Sequence, residues 1–133
     1  MRVAVKEVGT AKNIVRTASH YRADAVTKHL GNVQQRAVWL DAENTLAMVF
    51  DDLGQMKQAP LNFFIEVPNP FSPVQPIAGN VVFVRTKPVN AVETEIWDYE
   101  VEDLCESDIE KLRDLLSDER QVSLTVQYFT GRG

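Results

Sequence analysis

The chain has 133 residues and a formal net charge of −5, with 44% hydrophobic and 25% charged residues, the size and balance of one soluble domain and not of a disordered or membrane-embedded chain. Its one cysteine, Cys105, excludes an internal disulfide or a cysteine-rich zinc site within one chain, in keeping with a reducing compartment. No apolar run reaches the roughly 18 residues of a membrane helix, and residues 1–8 alternate like a strand instead of forming a signal peptide, so a cytoplasmic protein is expected.

Residues 2–8 place Val3, Val5 and Val8 among charged neighbours and predict a half-buried first strand, closed by Gly9 and Thr10. Over 17–30, Ala18, Tyr21, Ala25, Val26 and Leu30 recur at helical spacing, and Gly31-Asn32 supplies a left-handed stop. Residues 36–40 and 45–50 are β-rich runs separated by Asp41-Ala42-Glu43-Asn44, a hairpin-loop composition. A second turn at Asp51-Asp52-Leu53-Gly54 lets 61–67 return as a neighbouring strand, completing a meander. Pro68, Pro70, Pro73 and Pro76 confine the next stretch to an edge or a loop, because proline cannot donate to a sheet ladder. Residues 79–86 and 95–101 read as strands, the second an edge with one wet face. Ser107 with Glu110 three residues on has the capping-box pattern, and Ile109, Leu112, Leu115 and Leu116 supply the buried face of a second helix. A last strand over 122–129 precedes a short flexible tail at 130–133.

Charge is laid out unevenly. Residues 93–119 carry twelve carboxylates against Lys111 and Arg113, ten net negative charges, so the remainder is net +5. A field of one sign governs solubility, steering and partner choice, not chemistry.

Leu46 to Phe50, Asp51-Asp52-Leu53-Gly54, Pro60-Leu61-Asn62 and Ile77-Ala78-Gly79-Asn80 leading into Val81 to Val84 form a pattern that resembles an uncharacterised family of phage- and plasmid-borne domains, the domain of unknown function catalogued as three-eight-four-six. The resemblance covers residues 38–84; the proline-rich loop and the depth of the acidic segment depart from it. It implies a mobile-element origin and supplies no catalytic residues. Pro60, Asn62 and Gly79 have a structural explanation as turn and close-approach residues.

Catalytic combinations are thin. His20 and His29 point about 180° apart on one helix and cannot share a metal. His20 with Asp24 makes a surface pair, and His29 faces the packed side near Ala18 and Ala25 as a satisfied, semi-buried histidine. Cys105 stands among Glu102, Asp103, Glu106 and Asp108, whose charge disfavours a thiolate. Asp51 and Asp52 lack the further oxygens of a hard-cation site and read as a solvated turn. The basic residues Arg2, Lys6, Lys12, Arg16, Arg22, Lys28 and Arg36 lie scattered, without interleaved aromatics, so direct nucleic-acid binding is not expected.

Two features point to binding. Pro70, Pro73 and Pro76 recur every three residues, placing them on one edge of a polyproline II segment beside Phe71 and Val74, or making a rigid connector that blocks edge aggregation. The spaced carboxylates either imitate a phosphate track or form a solvated face. The expected fold is one α+β domain over 1–133, a mixed, largely antiparallel sheet of five to seven strands with two packed helices. The expected function is that of a non-enzymatic phage or plasmid accessory protein, cytoplasmic in the host cell. It would bind a host protein, acting as an acidic inhibitor of a defence or nucleic-acid-processing factor, through Asp98, Glu100, Glu102, Asp103, Asp108 and Asp114, with Pro70, Phe71 and Pro73 as a second surface. The alternatives are a small-ligand or nucleotide-sequestering module using Asp51, Asp52, Gly54 and Asn62, and an enzyme built on His20 or the Asp51-Asp52 pair. No cofactor, metal or membrane partner is expected, and a helix edge or the proline loop equally offers a homodimer contact.

Overall fold

A computed structural model describes residues 1–10, 13–17, 22–31, 33–41, 43, 45–66, 74–88, 99–116 and 123–125. The elements are β1 (Arg2–Lys6), β2 (Val15–Thr17), α1 (Arg22–Leu30), β3 (Gln35–Trp39), β4 (Leu46–Asp51), β5 (Leu61–Glu66), β6 (Val74–Ala78), β7 (Val81–Pro88), β8 (Tyr99–Glu102), α2 (Glu106–Leu115) and β9 (Ser123–Thr125). This is an α+β fold with a largely antiparallel sheet, as the sequence predicts. A six-stranded antiparallel sheet has the order β2-β1-β7-β4-β3, with β8 also on β7. β1 takes residues 81–83 of β7 and β8 takes 85–88, so the two lie end to end along one edge of β7 while β4 occupies the other.

β4 and the first half of β7, residues 81–84, are apolar at nearly every position because both faces of this part of the sheet are covered. Along β4, Leu46, Met48 and Phe50 enter one core and Ala47 and Val49 the other; along β7, Val81 and Phe83 separate from Val82 and Val84 in the same way. The first core lies between the large sheet, α2 (Ile109, Leu112) and the second sheet (Phe63, Ile65, Ile77). The other takes Val26 of α1, with Leu30, Tyr99 and Val101 packed around it. Trp39 closes this side, its Nε1 donating to Thr86 Oγ1 at 3.1 Å and its ring meeting Tyr99 edge-on.

The second sheet, order β6-β5-β9, is where the chain departs from the expected meander. β4 is flanked by β3 and β7, so no ladder beside it is left for β5; the 51–58 turn, with Gln58 at φ 58°, carries the chain into another layer. β5 pairs antiparallel with β6 and parallel with β9. Pro76 lies within β6 opposite Phe64 and not in a polyproline segment. This position is tolerated because β6 is an edge strand of the described sheet.

Two further expectations are corrected. Val15–Thr17 forms β2 against β1, so Thr17 belongs to a strand and not to the helix, and α1 is described over Arg22–Leu30. Gly31, at φ 77°, ends α1 with its N–H donating to Thr27 O. The N-cap of α2 is Cys105 and not Ser107, and its box is closed by Asp108, whose Oδ2 accepts the Cys105 N–H at 3.1 Å. The readings that placed residues at 18–21, 32, 42, 44, 67–73, 89–98, 117–122 and 126–133 fall outside the described residues, and with them His20, Pro70, Phe71, Pro73 and Asp98.

Candidate binding surface

The 51–58 turn is assembled from its own polar atoms. Asp51 Oδ1 accepts the Leu53 N–H at 2.9 Å, Gly54 N donates to Asp51 O, and Ala59 N returns to Gly54 O at 2.9 Å. Its first residues are tied down by Asp52 N to Gln34 O. Two ion pairs flank it, Lys57 Nζ to Asp51 Oδ2 and Arg36 Nη1 to Asp52 Oδ1, both at 3.0 Å. Across the gap to the small sheet, Gln55 Nε2 donates to Pro76 O at 3.2 Å. Asp51 and Asp52 are therefore fixed parts of a built turn, not freely solvated side chains.

Between this turn and β6 lies a pocket of about 180 Å³, whose lining includes Asp51, Asp52, Gly54, Arg36, Gln55 and Met56. Three of the four residues named for a small-ligand site thus meet at one cavity. The fourth, Asn62, is elsewhere: it is buried, its Nδ2 donating to Lys6 O and Gly79 O and its Oδ1 accepting Lys6 Nζ, all at 2.8 Å. That bridge, with Gly79 N to Pro60 O and Val8 N to Asn80 Oδ1, joins the end of β1 to both flanks of the β6–β7 turn. Lys6, counted by sequence among scattered basic residues, is only 1% exposed and belongs to this junction. At 180 Å³ the pocket falls below the roughly 300 Å³ at which small-molecule sites begin.

The large hydrophobic side chains exposed among the described residues are Met56, Leu61, Phe64 and Val74, and all sit on this turn, β5 and β6. Met56, 82% exposed, also lines the pocket. The signal for this surface was present in Phe63-Phe64: at a period of two, one of two adjacent aromatics must face away from the core. Arg36 had no such signal, because its role depends on which turn packs beside it.

The acidic segment is less free than its composition suggests. Asp108 is buried, with both carboxylate oxygens within 3.1 Å of Arg85 Nη1 and Oδ2 also accepting the Cys105 thiol. Burial alone would raise its pKa, but the Cys105 and Arg85 hydrogen bonds outweigh it and hold the carboxyl below its ordinary value. Asp108 is thus a structural carboxylate and presents nothing to a partner. Glu102 also pairs with Arg85, at 3.5 Å, Glu106 with Arg2 at 2.7 Å, and Asp103 accepts the Arg2 N–H. Glu100 stands exposed opposite Lys87 in the β7–β8 ladder. On α2, Glu106, Glu110 and Asp114 follow at intervals of four, one exposed stripe of carboxylates. Glu106 and Glu110 were missed as candidates although their helical spacing is legible in the sequence.

His29 is half-buried on α1, and its Nε2 has no hydrogen-bond partner among the described residues, so it is not the satisfied histidine expected. Burial first, and then Lys28 and Arg16, lower its pKa against the opposing pull of Glu7. No helix among the described residues is long and apolar enough to cross a membrane.

Searches of protein-family models, of curated proteins and of solved structures find no match to this chain.

Proposed function

We propose that the chain is a non-enzymatic binding module, an accessory protein of a phage or plasmid as its resemblance implies, that docks a host protein with a basic surface. The contact surface in this reading is the 51–58 turn with the outer side of β5 and β6. The observation that carries it is the concentration of Met56, Leu61, Phe64 and Val74 on that one part of the fold. Scattered exposed hydrophobics are ordinary, whereas grouped ones mark contact sites. The exposed carboxylates Glu100, Glu110 and Asp114 act at longer range, steering a basic partner and raising its rate of encounter. Like charges four apart on a helix weaken it by a few tenths of a kcal/mol, so placing Glu110 four residues after Glu106 carries a small local cost, which suits a role in recognition.

The test is capture from host lysate on the immobilised chain, comparing the native sequence with Leu61→Ser/Phe64→Ser and with Glu100→Gln/Glu110→Gln/Asp114→Asn. The reading requires a protein that the apolar variant fails to retain at any salt concentration. The charge variant should retain it more weakly, the difference narrowing as salt rises. Full retention by the apolar variant would contradict it.

A further inference from the structure

We infer that Arg16 and Lys28 close the outer edge of the large sheet: they hold the carbonyls through which β2 would otherwise pair with the β2 of a second copy of the chain.

The ladder register separates the inward from the outward groups of β2. The strand runs antiparallel to β1, with Val3 opposite Arg16 and Ala4 opposite Val15, and Val5 N donates to Ile14 O at 2.7 Å. Bonded and non-bonded pairs alternate along an antiparallel ladder. Ile14 and Arg16 therefore turn their backbone groups toward β1, while Val15 and Thr17 turn theirs away from it. β2 is the outer strand of the described sheet on this side, so the groups of Val15 and Thr17 form its edge. A row of outward N–H and C=O groups is a template for another strand.

Both outward carbonyls are taken, and both by cations. Arg16 Nη1 folds back onto Val15 O at 3.1 Å, and Lys28 Nζ reaches from the last turn of α1 to Thr17 O at 3.3 Å. Glu7 steadies the guanidinium, its Oε1 accepting Arg16 Nη2 at 3.1 Å. One cap thus comes from the strand itself and the other from the helix packed beside it.

A second copy is the occupant that these caps exclude. Turned about a two-fold axis at Arg16, two β2 strands would set Val15 against Thr17 of the other copy in both directions, and such self-complementary pairing needs no other surface. Every hydrogen bond of that ladder would be accepted by Val15 O or Thr17 O, the two that are held. The same axis would bring the two Arg16 side chains side by side, and like charges directly opposite each other on paired strands are destabilising. Capping and repulsion act in the same sense.

The experiment is sedimentation equilibrium of the intact chain over a range of concentrations, native and as Arg16→Met/Lys28→Met, with amide hydrogen exchange read at residues 14–17. The substitutions make the chain more negative than its native −5, which by itself opposes association, so a gain cannot come from the change in net charge. The double variant should self-associate about tenfold more tightly than the native chain, with new protection of the Val15 and Thr17 amides. Adding Thr17→Pro, which removes an outward N–H and leaves the β1 ladder intact, should reverse the gain. Where the double variant fails to fold, Lys28→Met takes its place; it alters one exposed side chain and should show a smaller gain in the same direction. A folded variant that associates no more than the native chain overturns the inference. Association that survives Thr17→Pro undiminished, or that leaves the Val15 and Thr17 amides unprotected, overturns it too.

Discussion

Gly54 lies against the carbonyl of Ala78 so closely that a Cβ on it would stand 2.7 Å from that oxygen. The oxygen belongs to backbone at the end of β6 and cannot swing aside. Gly54→Ala should therefore push the 51–58 turn off the small sheet and cost about 1–3 kcal/mol, read as a lower denaturant midpoint with an unchanged slope. It should also disturb the Gln55 to Pro76 contact.

Lys6 and Asn62 should behave as one unit. Asn62→Ala removes an acceptor from a buried ammonium together with the amide that binds Lys6 O and Gly79 O, and should cost about 3 kcal/mol. Lys6→Met alone leaves the Asn62 Oδ1 buried without its donor and should cost a similar amount. The double variant Lys6→Met/Asn62→Leu should be less destabilised than the sum of the two, as chemical unfolding in a double-mutant cycle will show.

Asp108 links acid stability to the fold. Its pKa is depressed in the folded state, so its stabilising contribution is present above the unfolded carboxylate range and is lost as pH falls through the folded value. Asp108→Asn should lower stability at neutral pH by about 2 kcal/mol. Thermal melts should show the gap between native and variant chains closing as pH drops below about 4.

His29 should give a separate, milder dependence. With its pKa lowered in the folded state, protonation favours the unfolded chain. Stability should decline as pH falls below about 6.5, the unfolded value, until the folded histidine itself titrates. In His29→Gln that part of the melting-temperature profile should be flat.

The class of fold was legible because β4 and β7 combine β-branched and apolar residues with clear turn chemistry at either end, and because Ile109, Leu112 and Leu116 keep a helical period. The second sheet was not legible. Nothing local in residues 46–66 reveals that the place beside β4 is taken by β7, which arrives some thirty residues later. The N-cap of α2 was misplaced because Ser107 and Glu110 fit the capping pattern better than Cys105 and Asp108 do, and the Arg85 contact that favours Asp108 is long-range. For the candidate site, the Asp51-Gly54 turn was readable from its residue types. Arg36, the burial of Lys6 and the internal pairing of Glu102, Glu106 and Asp108 depend on neighbours far away in sequence.

The central claim is that the 51–58 turn and the outer side of β5 and β6 form the binding surface. Hydrogen exchange on the chain, alone and bound to its captured partner, tests it directly. The account predicts new protection at 52–58, 61–66 and 74–78, with little change in α1. Protection confined to β8 and α2, with the turn and β5–β6 exchanging as in the free chain, would contradict it.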